Sequence, residues 1–270
     1  MSNITINWTN LCTGVDHATG ANAGFWPDNV HILRVDLSNP KISFFTTPTE
    51  SLNPNGVMTT DLLNEYFNAT SIQAQAMFGI NANYFDMDAR NNAYGLVISE
   101  GNTVFPYSND YPYALVITEQ NEASIISLEP GTPYWTAVAG PTMLVQDGAN
   151  VAPPPQHPDV AARTAIGISV DPAQYLFLIT IDGLECSSQT GSYYGATYKD
   201  VANWLIAAGA QNAFGLDGGG STTMAIINTI SSEATGKAQA LLTNQPHDME
   251  SSNAVAERSV AVSFVVVVGS

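Results

Sequence analysis

Positive charge is scarce in this 270-residue chain. Seven Lys and Arg stand against 24 Asp and Glu, a formal net charge of −17. Such a surface repels phosphate backbones and anionic lipid, which argues against a nucleic-acid duplex or a membrane as a partner. It also makes each arginine informative: the chain has only Arg34, Arg90, Arg163 and Arg258. An anionic substrate must meet some of them at close range, because charge is screened beyond roughly 8 Å at physiological salt.

Cysteine is scarcer still. Cys12 and Cys186 cannot make a zinc site by themselves; they form one disulfide closing a long loop or remain two buried thiols. The four histidines, His17, His31, His157 and His247, have no metal-ligand spacing, and Asp86 and Asp88 read as a solvated acidic turn. No metal and no cofactor is expected. No apolar run approaches the ~18 residues of a membrane span; Phe264 to Val268 reads as a buried strand. The first thirty residues are polar and lack a basic-then-apolar leader pattern. Sequons at Asn3, Asn7 and Asn68 and the low lysine content lean towards secretion, yet the same bias suits an acidic cytosolic protein. Compartment and oligomeric state stay open.

What is present is enough for a core: 45 % hydrophobic residues with only 11 % charged, far from the composition of a disordered chain. There is no internal repeat and no long linker. The stretch Pro153-Pro154-Pro155 to Pro158 reads as a stiff surface loop, so one domain spanning 1–270 is the simpler expectation. Short apolar or alternating runs predict strands at His31 to Asp36, Ile42 to Thr46, Leu96 to Ser99, Ala114 to Thr118, Ser124 to Leu128, Ala165 to Val170 and Leu176 to Ile181. Glu100-Gly101, Asp147-Gly148 and Asp182-Gly183 follow such runs, where hairpin turns sit. One helix is expected from Asp61 to about Asn68, capped by Thr60. A second is expected to begin after a Thr197 cap and end at Ala208 before Gly209. It feeds the apolar strand Ala213 to Leu216. The expected fold class is α+β: one domain with a curved mixed β-sheet and a few packed helices.

After that strand comes Asp217-Gly218-Gly219-Gly220-Ser221-Thr222-Thr223. Consecutive glycines let amide groups turn towards an anion, and the hydroxyls add donors. Phosphate is the obvious guest. No Lys follows the glycines and no helical pattern follows either, so this is not a nucleotide P-loop. Asp217 and Asp182, both after apolar strands, are the candidate catalytic carboxylates, placed to act as acid and base or acid and nucleophile. Arg163 and Arg258, each entering a strand, are candidate phosphate ligands, since a guanidinium matches a pair of phosphate oxygens. The alternative for both arginines is an internal ion pair. Asn81 and Asn83, at a strand end, are candidate ligands for sugar hydroxyls. Ser221 lacks a nucleophile elbow, so a triad hydrolase is unsupported.

The order of these motifs resembles the phosphodiester glycosidases. The likeness runs from Ile80-Asn81-Ala82-Asn83-Tyr84-Phe85-Asp86 through Tyr94-Gly95-Leu96, Ala139-Gly140-Pro141, Asp147-Gly148 and His157-Pro158. It continues with Arg163-Thr164-Ala165, Asp182-Gly183, Leu216-Asp217-Gly218-Gly219-Gly220-Ser221-Thr222-Thr223, Asn244-Gln245-Pro246 and Glu257-Arg258, covering roughly 75–265. Asn83 departs from the family's usual small residue, and residues 1–74 carry no motif of it. The resemblance implies a hydrolase that cleaves the glycosidic bond of a sugar-1-phosphodiester, with a sugar phosphodiester or nucleotide-like small molecule as its partner. A phosphate leaving group with a second pKa near ~6 departs readily, so stabilising its charge matters more than protonating it. The alternative is a non-catalytic protein that sequesters a nucleotide, cyclic dinucleotide or sugar phosphate; a weaker third reading is a carbohydrate-recognition module.

Overall fold

Short connections between apolar runs favour antiparallel pairing, because a parallel neighbour needs a long crossover. The computed structural model describes residues 4–21, 29–69, 73–127, 131, 133–154, 160–170, 174–183, 195–228, 238–248 and 256–270; Asn3, Pro155, His157, Pro158 and Cys186 lie outside them. The largest sheet has eight strands, ordered Thr9–Cys12, Val15–Gly20, Asn29–Asp36, Tyr175–Asp182, Arg163–Ile168, Asn212–Gly215, Thr142–Gln146 and Ala149–Asn150. A five-stranded sheet joins Ala123–Ile126, Tyr113–Ile117, Thr136–Gly140, Val97–Ser99 and Asn102–Phe105. Another joins Leu241–Leu242, Met224–Asn228, Ala74–Asn81, Ser263–Gly269 and Ile42–Thr46. A small ribbon pairs Phe85–Asp86 with Ala89–Ala93.

Every ladder among these strands is antiparallel. The expected α+β domain with one curved mixed sheet is therefore incorrect. Several antiparallel sheets dominate, and the described residues hold only two α-helices, Thr59–Phe67 (α1) and Tyr198–Ala208 (α2). The physical reason lies at α2. Tyr175–Asp182 and Asn212–Gly215, on either side of it in sequence, run in the same direction, but Arg163–Ile168 is inserted between them and pairs antiparallel with both.

The largest core draws on all three sheets, with Leu33, Leu178 and Phe214 meeting Leu115, Val138, Phe78 and Phe264. On its other face the eight-stranded sheet packs Ile32, Phe177 and Ile179 against Trp204 and Leu205 of α2. Both faces are covered, which is why Leu176 to Ile179 is continuously apolar rather than alternating. Leu62 and Leu63 of α1 pack likewise on Met77 and Val265.

Two of the three expected hairpin turns form. Glu100 and Gly101 have φ of 48° and 79°, and Asp147 and Gly148 have 50° and 74°, the positive angles that a two-residue turn requires. Asp182-Gly183 is not a hairpin: Asp182 instead pairs with Asn29 at the end of its ladder. Helix α2 has the expected ends, a Thr197–Asp200 capping box and a left-handed Gly209. Helix α1 does not use Thr60 as its cap. Its N-cap is Met58, which makes no side-chain cap bond, and Glu257 accepts from Thr60 N (3.1 Å) and Thr60 Oγ1 (2.5 Å).

Candidate functional site

Three neighbouring central strands bring the charged groups to the edge formed by their ends in the largest sheet. Arg163 opens its strand, Asp182 closes the next one, and Asp217 lies two residues beyond Asn212–Gly215. The central strand runs against both others, so its start lies beside their ends. Arg163 pairs with Ile181, while Leu216 N donates to Thr164 O (2.9 Å) and Gly219 N to Ala162 O (2.8 Å). A Cβ on Gly218 would stand 3.7 Å from Arg163 Cα.

The glycine loop is not an open nest of amides. Gly219–Ser221 form a 3-10 turn, with Gly219 at φ 58°. Gly218 N–H donates to Asp217 Oδ1 (3.0 Å), Ser221 N–H to Gly218 O (3.2 Å) and Thr222 N–H to Gly219 O (3.1 Å). With Gly219 on Ala162, four amides of the loop thus have internal acceptors. Gly220 and Ser221 are buried, as are Thr222 and Thr223, whose hydroxyls have no hydrogen-bond partner among the described residues.

The two arginines differ. Arg163, partly exposed, donates Nε–H to Ala196 O (3.1 Å) and lays its guanidinium over the Tyr198 ring at 4.1 Å, a stacking that favours Arg over Lys. Arg258 is buried and holds Asp248 through Nε (3.0 Å) and Nη2 (2.8 Å). Its Nη1 reaches Ser221 Oγ at 3.5 Å. It therefore fits the internal ion-pair alternative and anchors the loop from behind.

Asp217 is partly exposed. Asp182 is 1 % exposed and ringed by neutral donors. Asn244 Nδ2 (2.8 Å) and Gln245 N (3.0 Å) donate to Oδ1, and Asn29 Nδ2 (2.7 Å) to Oδ2. Burial pushes its carboxyl above the usual range, against the lowering pull of those donors. Asn244 Nδ2 also donates to Thr222 O (3.0 Å), and its Oδ1 accepts from Met224 N (2.7 Å), tying Asp182 to the glycine loop.

The Asn29 bond continues outwards. Asn29 Nδ2 lies 3.1 Å from His31 Nε2, and His31 Nδ1 lies 3.3 Å from His17 Nε2. An amide that donates to Asp182 presents N–H to His31 as well, so His31 Nε2 carries the lone pair and its proton sits on Nδ1. Burial lowers both rings to about 4, and His31 adds to the shift at His17.

Asn81 and Asn83 are turned inward. Asn81 Oδ1 accepts from Thr164 Oγ1 (2.7 Å) and Thr223 N (3.0 Å), and its Nδ2 donates to Asp217 O (2.7 Å). Asn83 Nδ2 donates to Tyr94 O (2.9 Å), and its Oδ1 accepts from Ala139 N (3.1 Å). Both are buried and engaged in bracing the backbone.

Tyrosines complete the surroundings, and the motifs had given them no role. Tyr84 and Tyr198 hydroxyls are 3.1 Å apart. Burial, then Tyr198 and Asp217, push the Tyr84 phenol well up, while Arg163 pulls it down. Tyr84 therefore feels both charged groups of the edge. Burial, Tyr94 and Asp217 raise Tyr111 in the same way. Asn29 escaped the sequence reading, and His17 and His31 were weighed there only as metal ligands, since all three lie in the first 74 residues where no motif was found. Asn244 and Tyr84 stood in quoted motifs, which was the one signal available.

Against known proteins, the model of the phosphodiester glycosidase family matches residues 74–267. The catalytic domain of zebrafish N-acetylglucosamine-1-phosphodiester alpha-N-acetylglucosaminidase, auto-inhibited by its pro-peptide, superposes with a TM-score of 0.66 at 18 % identity, over 99 % of this chain and 89 % of that one. A hypothetical protein from Synechocystis also gives 0.66, at 14 % identity over 99 % of this chain; this chain spans 64 % of its length. At such identities the likeness is one of fold. No curated protein matches the chain. Since the family model covers most of the sequence, including Asn81, Arg163, Asp182, Asp217 and Arg258, the chain belongs to the phosphodiester glycosidase family.

Proposed function

We propose that this chain hydrolyses the glycosidic bond of a sugar-1-phosphodiester. Water attacks the anomeric carbon and its oxygen becomes the sugar hydroxyl. The bond from that carbon to the phosphate oxygen breaks, and the electron pair leaves with the phosphate as a phosphomonoester. The proton lost by water passes to a carboxylate and then to solvent or the departing phosphate. The observation that carries this reading is that the backbones of Asp217 and Arg163 come side by side at one strand end, bracketed by the bonds from Leu216 N to Thr164 O and from Gly219 N to Ala162 O.

Asp217 is the group assigned to water or to the oxocarbenium-like carbon, because it is partly exposed whereas Asp182 is enclosed. Asp182 is assigned to positioning, through Asn244 and Gln245. Arg163, oriented by Tyr198 and Ala196, is assigned to the phosphate, where a fixed donor is worth about 3–4 kcal/mol in the transition state. Gly218 to Thr222 serve as the platform that holds Asp217, with Arg258 behind it; Asn81 and Asn83 brace the same platform.

The test is a panel of sugar-1-phosphodiesters and nucleotide-sugars, read by released reducing sugar. Asp217→Asn is expected to lower kcat by about 10²–10⁴ and Arg163→Ala by about 10²–10³, with melting transitions kept. Full turnover in both variants would sink the assignment. Recovery of tightly bound ligand intact by mass spectrometry, with no turnover anywhere, would favour a sequestering protein instead.

A further inference from the structure

We propose that the paired hydroxyls of Tyr84 and Tyr198 act as one neutral hydrogen-bond donor to the phosphate that departs from the sugar. The proposal rests on the hydrolase reading for its reaction, and on the geometry of the pair for its donor. The two oxygens are 3.1 Å apart, and neither has another hydrogen-bond partner among the described residues. Each phenol has a single proton to give. One of the two protons is used between the rings, whichever hydroxyl supplies it, and the other points away from the pair. Both side chains are partly exposed, so that second proton is held in place by its neighbour and stays within reach of a ligand.

The surroundings of the pair select the ligand. The Tyr198 ring carries the Arg163 guanidinium on its face at 4.1 Å. It also packs on the strand that leads to Asp217, since a Cβ on Gly215 would stand 3.1 Å from Tyr198 Cε1. The Thr197–Asp200 capping box fixes the backbone there. Tyr84 feels both charged groups: burial first, then Tyr198 and Asp217, push its phenol up, while Arg163 pulls it down. A phenol raised in this way keeps its proton through the neutral range, so the pair remains a donor. A guanidinium fork takes two oxygens of a phosphate and leaves the others in need of a partner. When the glycosidic bond breaks, its electron pair ends on the oxygen that bridged the anomeric carbon and phosphorus. A phosphate monoester has a second pKa near ~6, below the ~10 of a phenol. The hydroxyl therefore donates a hydrogen bond to that oxygen and keeps its own proton.

The dependence on the leaving group tests this on the full chain. For the sugar that the panel selects, diesters with methyl and with 4-nitrophenyl as the far group release phosphates of different basicity. Methyl phosphate is the more basic and leans harder on a donor. Tyr84→Phe and Tyr198→Phe keep both rings, including the one under Arg163, and their folding is checked by melting. In each, kcat for the methyl diester should fall about ten- to a hundredfold, and kcat for the 4-nitrophenyl diester clearly less, with KM little changed. The double variant should lose less than the product of the two single losses, because the pair has one free proton to offer. Equal losses on both diesters, losses that multiply, or an unchanged kcat in both single variants overturns the donor. If the parent turns over neither diester, the hydrolase reading falls by itself, and methyl phosphate titrated by phosphorus NMR tests the pair alone. Binding to the parent that weakens about tenfold in either variant keeps the donor. Equal binding by all three proteins, or none to the parent, removes it.

Discussion

A Cβ on Gly220 would collide with Nη2 and Cζ of Arg258, and that arginine has nowhere to go. Its Nη2 and Nε both hold Asp248 in a buried pair, so moving the guanidinium breaks charge-assisted bonds in a place where water cannot replace them. Gly220→Ala is therefore expected to destabilise the protein by about 2–3 kcal/mol, measured as a lower denaturant midpoint at unchanged slope. A midpoint within error of the parent would show that Arg258 relaxes freely. The same scale governs Asp182. Asn29→Ala removes one of its donors and leaves His31 Nε2 without its partner. The donor lowers the carboxyl, so its loss shifts the titration of Asp182 further up, readable as an upward move of the carboxyl signal in a pH series by NMR. An unmoved titration would detach Asn29 from the site.

At the scale of elements, what was legible is what local chemistry decides. Asp147-Gly148 and Glu100-Gly101 announce hairpins because the turn itself demands positive φ. Thr197 and Gly209 announce α2 because the donors and acceptors at its ends are satisfied within a few residues. Thr197→Ala is thus expected to cost about 1 kcal/mol, and it should also weaken turnover, since Tyr198, the ring under Arg163, is the first residue of α2. Equal activity in the variant would show that the start of α2 is held by other contacts. Where partners come from afar, the sequence is silent. Helix α1 takes its N-terminal carboxylate from Glu257, 197 residues from Thr60, and no local pattern shows that. The strand Ala74–Asn81 is almost wholly buried and shows no alternation to flag it. The mixed sheet was misjudged because strand order, unlike strand existence, is set by which faces need covering. In the site, Arg163, Asp182 and Asp217 were legible as strand-end residues. The closed amides of the glycine loop, the inward Asn81 and Asn83, and the Asn29–His31–His17 chain were not, because each depends on what the rest of the chain brings alongside.

For the whole molecule, the buried titratable groups pull stability in opposite directions with pH. His31 is 8 % exposed and lowered to about 4 from 6.5. Between those values the unfolded chain takes up a proton that the native ring refuses, so its contribution grows as pH rises from 4 to 6.5 and is lost as pH falls through that window. His17 acts in the same sense. Asp182 and Glu257 act oppositely. Burial raises both, so the native state holds protons that the unfolded chain has released, and stability falls as pH rises from their ordinary values of 3.8 and 4.5. The carboxylates therefore mask part of the histidine effect in the wild type, and only a difference between two proteins isolates it. His31→Gln keeps an acceptor for Asn29 and removes the titration. On moving from pH 7 to pH 5 the parent should lose up to about 2 kcal/mol more than this variant, with both measured by urea unfolding at fixed salt. The sign follows from the geometry as well as from burial, because protonating Nε2 would set N–H against the Asn29 amide that serves Asp182. Parallel pH profiles for parent and variant would mean that the ring takes its proton freely, and that the chain from His17 to the buried carboxylate does not hold as drawn.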